Sequence, residues 1–127
     1  MSNFQFLQKE WPQIFEIARE AEDMANIKAR SSLVNSRAAL EKGIRWMYEN
    51  DQRLFKDYDK RKTVGNLLLA PSLKKVTEKS LRRELHLLQK LGNEAAHGEI
   101  TDSEKANTCI KILFQFCSHL AVSYSSD

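Results

Sequence analysis

Asn93 and His97 are the side chains of this sequence whose types and spacing could most readily do chemistry. They lie one helical turn apart in the segment 90–98, Lys-Leu-Gly-Asn-Glu-Ala-Ala-His-Gly, whose small residues would let another backbone approach closely. An imidazole can transfer protons near neutral pH, but acid-base catalysis on a phosphate also needs a neighbouring cation. Lys90 lies two turns away and Gly92 has no side chain. The alternative is a polar helix end whose imidazole donates to a carbonyl in a loop.

Arg37 and Glu41 form a second polar pair, also one turn apart, on a stripe that is otherwise mostly apolar. Burying an ion costs several kcal/mol unless the ion is paired and hydrogen-bonded. We therefore expect these two side chains to pair with each other, to bond to Asn93 or His97, or to line a cleft. The alternative is an ordinary salt bridge at the edge of a surface helix, which contributes little to stability.

The middle of the chain is basic. Residues 28–62 hold ten basic and five acidic side chains, residues 63–90 hold six and two, and each end of the chain is acidic. Such a block can favour a polyanion through phosphate neutralisation, although a solvated surface would have the same composition. The candidate binding surface consists of the two polar pairs and the basic face that precedes Asn93, namely Arg37, Glu41, Asn93, His97, Lys79, Arg83, His86 and Lys90.

Several kinds of site have no counterpart in the sequence. It contains no glycine-rich phosphate loop, no nucleophile elbow and no paired-carboxylate metal site. The three histidines show no paired spacing with cysteine or carboxylate, so no metal is expected. Cys109 and Cys117 would lie about 12 Å apart along a helix, too far for a disulfide. Trp11 and Trp46 are interpreted as packing residues rather than platforms for bases.

The elements that must position these residues are helices. A chain of 127 residues with 42% hydrophobic content, four glycines and two prolines predicts one all-α domain, a bundle of about five helices. The start lacks the order of a signal peptide, and no long apolar run would cross a membrane, so a cytoplasmic protein is expected.

The +3/+4 spacing of apolar residues predicts five helices. The first begins near Pro12, the next three span about 31–50, 63–70 and 78–97, and the last follows residue 101. Gly98 should end the fourth of these helices in a left-handed turn. Thr101 and Glu104 predict a capping box, in which the threonine hydroxyl accepts from the Glu104 amide. Residues 51–62 are expected to form a loop or frayed turn pinned by Leu54, Phe55 and Tyr58.

Three segments carry a resemblance that covers nearly the whole chain: residues 2–7, Ser-Asn-Phe-Gln-Phe-Leu; residues 37–41, Arg-Ala-Ala-Leu-Glu; and residues 88–98, Leu-Gln-Lys-Leu-Gly-Asn-Glu-Ala-Ala-His-Gly. The chain resembles the helical domain that begins the R subunits of type I restriction-modification enzymes. The resemblance implies the N-terminal part of a longer enzyme that cuts DNA after ATP-driven translocation. ATP and Mg²⁺ would serve that parent, and no cofactor is expected in this chain. Its implied partners are DNA, the other subunits of the complex, or both.

The segment 88–98 is also similar, more distantly, to HEPN domains. These are helical bundles that often dimerise, and in them an arginine, a polar residue and a following histidine cleave RNA. Asn93 and His97 match the polar residue and the histidine, whereas Gly92 stands where the arginine belongs. Glycine at this position removes the cation that would stabilise phosphate charge, which counts against ribonuclease activity. A homodimer is kept as one alternative for the oligomeric state.

The sequence therefore predicts a non-catalytic docking or nucleic-acid-contacting module with no catalytic residue. Two alternatives stay open. One is a ribonuclease of the HEPN type. The other is a purely structural cap, in which Arg37, Glu41, Asn93 and His97 form a buried hydrogen-bonded network that holds two helices in register.

Overall fold

The computed structural model describes residues 2–126, and over that range the chain forms helices and no strand. The predicted all-α bundle is confirmed. Its six α-helices within the described residues are α1 (Pro12–Met24), α2 (Ala29–Asn50), α3 (Gln52–Phe55), α4 (Val64–Leu69), α5 (Lys79–Ala96) and α6 (Ser103–Tyr124). Two short 3₁₀ helices, Gln5–Leu7 and Pro71–Lys75, precede α1 and α5.

The long helix α2 is the centre of the bundle and packs against α1, α5 and α6. Its apolar side chains Leu33, Leu40 and Ile44 are almost wholly shielded from solvent. Gly43 lies against the ring of Phe116 on α6, where a Cβ would collide with the ring. One helix therefore sets the positions of three others, and its polar residues project between them.

The C-terminal end of α5 is fixed by backbone geometry and by a cation. Gly98 has φ +85°, the left-handed turn predicted for it, and its amide donates to the carbonyl of Ala95 at 3.1 Å. Arg30, at the start of α2, donates from Nε to the same carbonyl at 2.8 Å. A cation placed on the last carbonyls also complements the negative end of the helix dipole.

The start of α6 corrects the predicted capping box. The N-cap is Asp102, one residue later than predicted, and its side chain accepts from the backbone amide of Lys105 at 2.8 Å. Thr101 does not cap the helix, and its Oγ1 is buried without a hydrogen-bond partner among the described residues. Aspartate serves better here because its charge also complements the positive end of the helix dipole.

Residues 51–62 are more ordered than the predicted loop. They include the short helix α3, on which Leu54 is fully buried, and the ring of Tyr58 stacks on that of Tyr48 at 5.9 Å between centroids. Phe55 does not pin the segment, since 62% of it is exposed. The prediction was right for Leu54 and Tyr58 and wrong for Phe55.

Asp51 joins the end of α2 to the end of α6. Its carboxylate accepts from the amide and guanidinium of Arg53 and from the Tyr124 hydroxyl at 2.6 Å. The hydrogen bonds from Arg53, supported by that from Tyr124, hold the pKa of Asp51 at about 2, against an ordinary value of 3.8. Because the pKa is lower in the folded state, this carboxylate stabilises the fold above pH 4, and the contribution is lost as the pH falls toward 2.

We expect Asp51→Asn to lower the free energy of unfolding by about 1–2 kcal/mol at pH 7, because the amide loses the charge that these donors stabilise. The difference from the unaltered protein should shrink as the pH falls from 4 toward 2. Urea unfolding at several pH values measures both effects. Asp59→Asn is the matched control, because Asp59 makes the same contacts with Arg61 at the surface. An equal loss in both variants would contradict a special role for the contact with Tyr124.

Cys109 and Cys117 are both free and buried, as expected from their spacing. Burial raises the pKa of each thiol to about 12, so neither is a ready nucleophile. Within residues 2–126, no helix combines the length and the apolar composition needed to cross a membrane.

Candidate functional site

Arg37 and Asn93 meet across the interface of α2 and α5. Arg37 donates from Nη1 to Oδ1 of Asn93 at 2.7 Å, and both side chains are partly buried. Gly92 makes the contact possible, since a Cβ at that position would lie 2.6 Å from Cβ of Arg37 and 3.0 Å from the carbonyl oxygen of Leu33. The glycine therefore allows the two helices to approach closely enough for the amide to reach the guanidinium.

Glu41 pairs with Arg45 and not with Arg37. Its Oε2 accepts from Nε of Arg45 at 3.2 Å, one turn further along α2. Arg45 also donates from Nη2 to the backbone carbonyl of Lys62 at 2.9 Å, which holds the segment before α4 against α2. Of the alternatives expected for Arg37 and Glu41, the structure shows no bond between the two side chains; Arg37 bonds to Asn93.

These residues line a cleft of about 450 Å³ between α2, the segment before α4, and α5. We call it the basic cleft. Its cations are Arg37, Arg45, Lys60, Arg61 and Lys62, and its neutral polar residues are Thr63, Gln89 and Asn93. Glu41 is the one carboxylate among the described residues that line it. Such an arrangement offers many hydrogen-bond donors to an anion and few groups that would repel one.

Two of the cleft's cations also make contacts of their own. The guanidinium of Arg61 binds the carboxylate of Asp59, which keeps the pKa of Asp59 below its usual value. Lys62 donates from Nζ to the carbonyl of Asp57 at 3.1 Å. Lys60 is exposed and makes no hydrogen bond with any of the described residues. The cleft thus combines cations that bond to other protein groups with one, Lys60, that makes no such bond among the described residues.

His97 does not join the cleft. It is exposed at the C-cap of α5, and its imidazole makes no hydrogen bond with the described residues. Arg30 is a cation at this helix end, and its Nη2 lies 3.7 Å from the position that a Cβ on Gly98 would take. The predicted constellation is therefore divided: Arg37, Glu41 and Asn93 share the cleft, and His97 lies at the end of the helix.

The predicted basic face lies on α5 beside the cleft rather than in it. Lys79, Arg83 and Lys90 are exposed, and His86 is partly buried. None of the four lines the cleft. They extend the positive surface along the same helix that contributes Gln89 and Asn93.

Sequence reasoning missed four cations of the cleft, namely Arg45, Lys60, Arg61 and Lys62. Arg45 could have been found, because it continues the +4 spacing of Arg37 and Glu41 along α2. The other three lie in the segment interpreted as a loop. Their only signal was the basic composition of residues 28–62.

The remaining polar candidates do not form a second centre. Among residues 2–126, no three side chains of histidine, cysteine, aspartate or glutamate are grouped so as to hold a metal ion. His119 is partly buried on α6, and burial lowers the pKa of its imidazole, with Glu78 opposing the shift. Trp11 and Trp46 pack edge to face with 5.4 Å between ring centroids, and Trp46 also contacts Tyr124. The prediction that the tryptophans are packing residues agrees with these contacts.

The fold and the cleft together define a small all-α bundle with a cationic cleft on one face. Its residues 19–125 match a family model described as a domain of unknown function, DUF4145, and the chain belongs to that family. No curated protein and no solved structure matches the chain.

Proposed function

We propose that this domain is a non-catalytic module that contacts nucleic acid. We further propose that it forms the N-terminal part of the R subunit of a type I restriction enzyme, whose ATP-dependent motor and nuclease would lie in the parent chain. The basic cleft is the single observation on which the nucleic-acid contact rests. The resemblance of residues 2–7, 37–41 and 88–98 to R subunits supports the parent enzyme.

The charge distribution supports a polyanion as the partner. Five cations line the cleft against one carboxylate; Arg45 pairs with that carboxylate and Arg61 with Asp59, which leaves Arg37, Lys60 and Lys62 without a carboxylate partner among the described residues. The exposed Lys79, Arg83 and Lys90 lie on α5, the helix that also forms one wall of the cleft. A polyanion gains affinity from each phosphate that is neutralised, so cations on α5 would add to those of the cleft wherever one ligand reaches both. Docking on another subunit of the complex would use the same face.

The test is binding of a fluorescent DNA duplex by the isolated chain, followed by anisotropy at 50–200 mM salt. We expect a Kd of about 10⁻⁴–10⁻⁶ M near physiological salt and a steep loss of affinity as salt rises. The double variant Arg83→Glu with Lys90→Glu should bind the duplex more weakly than the unaltered protein does, because the two new carboxylates repel the phosphate backbone of the DNA. The control variant, Lys105→Glu with Lys111→Glu, makes the same charge change on exposed positions of α6. Equal effects of the two variants would contradict a surface on α5.

The same preparation tests the ribonuclease alternative. One observation favours that alternative, namely the Arg30 guanidinium beside the helix end that carries the exposed His97. We expect single-stranded RNA to stay intact on a denaturing gel. Cleavage that disappears in His97→Ala would overturn the non-catalytic assignment. Absence of binding to both nucleic acids, with Asn93→Ala lowering the melting temperature, would instead indicate the structural cap.

A further inference from the structure

The ligand chemistry of the basic cleft is set by what its walls offer. Arginine, lysine, amide and hydroxyl groups supply donors, and of the described residues lining it only Val64 is apolar. No aromatic ring among the described residues faces it. Proteins that hold the bases of single strands do so by stacking them on aromatic side chains. The cleft therefore has partners for phosphate oxygens and no platform for a base.

The aromatic side chains nearest in sequence are engaged elsewhere. Trp46 packs between Trp11 and Tyr124, and Tyr58 stacks on Tyr48 while its hydroxyl donates to Glu49. None of these rings lines the cleft, so a base entering it would find no ring to stack on. Phosphate oxygens would find hydrogen-bond donors, which already line the cleft.

Two guanidinium groups in the cleft are held in place before any ligand binds. Arg37 is anchored through Nη1 by Asn93, and Arg45 is anchored through Nε and Nη2 by Glu41 and the carbonyl of Lys62. Beyond Nη1, the Arg37 guanidinium makes no further hydrogen bond with the described residues, whereas Arg45 also interacts with the Tyr58 hydroxyl. A guanidinium that is already oriented loses less conformational entropy on binding than a free side chain would.

The dimensions fit a short chain of phosphates rather than a single ion. Arg37 and Arg45 are eight residues apart, about 12 Å along the axis of α2. The cleft volume of about 450 Å³ lies in the range of sites for small ligands. Because Arg37 is anchored to α5 and Arg45 to the segment before α4, a ligand with several linked phosphates is the kind that can engage both.

We propose that the basic cleft recognises a run of linked phosphates by themselves, so that a free oligophosphate occupies it as the nucleic-acid backbone does. This inference rests on the proposed function in one respect, which is that both place the ligand in the basic cleft. Its ligand class is an oligophosphate chain, supplied either by a nucleic-acid backbone or by a free polyanion. Arg37 and Arg45 bind the phosphates, and Asn93 is a positioning residue that orients Arg37.

The test uses sodium tripolyphosphate, with binding to the whole chain measured by calorimetry and displacement of a labelled duplex measured at matched ionic strength. We expect direct binding and full displacement. Arg37→Lys keeps the charge but loses the bidentate fork, so its affinity for tripolyphosphate should fall by about tenfold. Arg19→Lys, on α1 and away from both the cleft and the basic face of α5, is the matched control and should bind as the unaltered protein does. If Arg37→Lys lowers the melting temperature, Lys60→Gln replaces it in the test. Lys60 lines the cleft at an exposed position, so this variant should also bind tripolyphosphate more weakly without disturbing the fold.

The outcomes separate this inference from the proposed function. Duplex binding that tripolyphosphate fails to displace would overturn recognition of phosphates alone and leave the nucleic-acid contact standing. Tripolyphosphate binding without duplex binding would support the inference and overturn the proposed function. Binding of neither ligand would overturn both. Equal loss of affinity in Arg37→Lys and Arg19→Lys would show that tripolyphosphate binds outside the cleft, which also contradicts the inference.

Discussion

Replacing Gly92 with alanine should lower the free energy of unfolding by about 1–3 kcal/mol, the usual cost of overpacking a tight interface. The new Cβ would lie 2.6 Å from Cβ of Arg37 and 3.0 Å from the carbonyl oxygen of Leu33. Neither atom is the far end of a flexible side chain, so α5 must move away from α2. The loss is expected although alanine is favoured over glycine in a helix by about 1 kcal/mol. Urea denaturation measures it, and Gly92→Val should lose more.

Gly65→Ala is the matched control for this substitution. Gly65 is also helical, but a Cβ there would meet only the Thr63 hydroxyl oxygen, at an ordinary 3.8 Å. Alanine at this position should leave stability unchanged or raise it by up to about 1 kcal/mol. If Gly92→Ala behaved in the same way, the close approach of α2 and α5 would not be the reason for glycine at position 92.

Gly92 also shows how much of the contact between α2 and α5 can be predicted from the sequence. The small residues around Asn93 predict that another backbone comes close, and the structure places α2 there. Which helix approaches, and at what register, depends on packing between residues more than fifty positions apart. Periodicity reports only the buried face of each helix, so it leaves Asn93 and His97 equally eligible as partners of Arg37. The register of α5 against α2 places Asn93, and not His97, beside Arg37.

The cleft shows what sequence reasoning misses and why. Helix periodicity found Arg37 and Glu41, because both lie on a regular element. It could not find Lys60, Arg61 and Lys62, since they lie between α3 and α4, in a segment that Arg45 contacts through the carbonyl of Lys62. Side chains on irregular segments have no repeating pattern that would assign them a face. Composition alone marked the region as basic.

Neutralising two cations of the cleft should produce the largest functional change. We expect Arg37→Gln with Lys60→Gln to weaken binding of a DNA duplex by tenfold or more at about 0.1 M salt, since two phosphate contacts are lost. The slope of log affinity against log salt should fall by about two, because fewer counterions are released. Anisotropy titrations at four salt concentrations give both quantities.

Lys105→Gln with Lys111→Gln is the control, because it removes the same charge from exposed positions of α6 that do not line the cleft. This control variant should keep most of the affinity of the unaltered protein. Long-range attraction depends on net charge and would weaken equally in both variants, whereas direct contact weakens only where the phosphate is touched. Equal losses would therefore assign the binding to net charge. A loss confined to Arg37 and Lys60 would assign it to the cleft between α2 and α5.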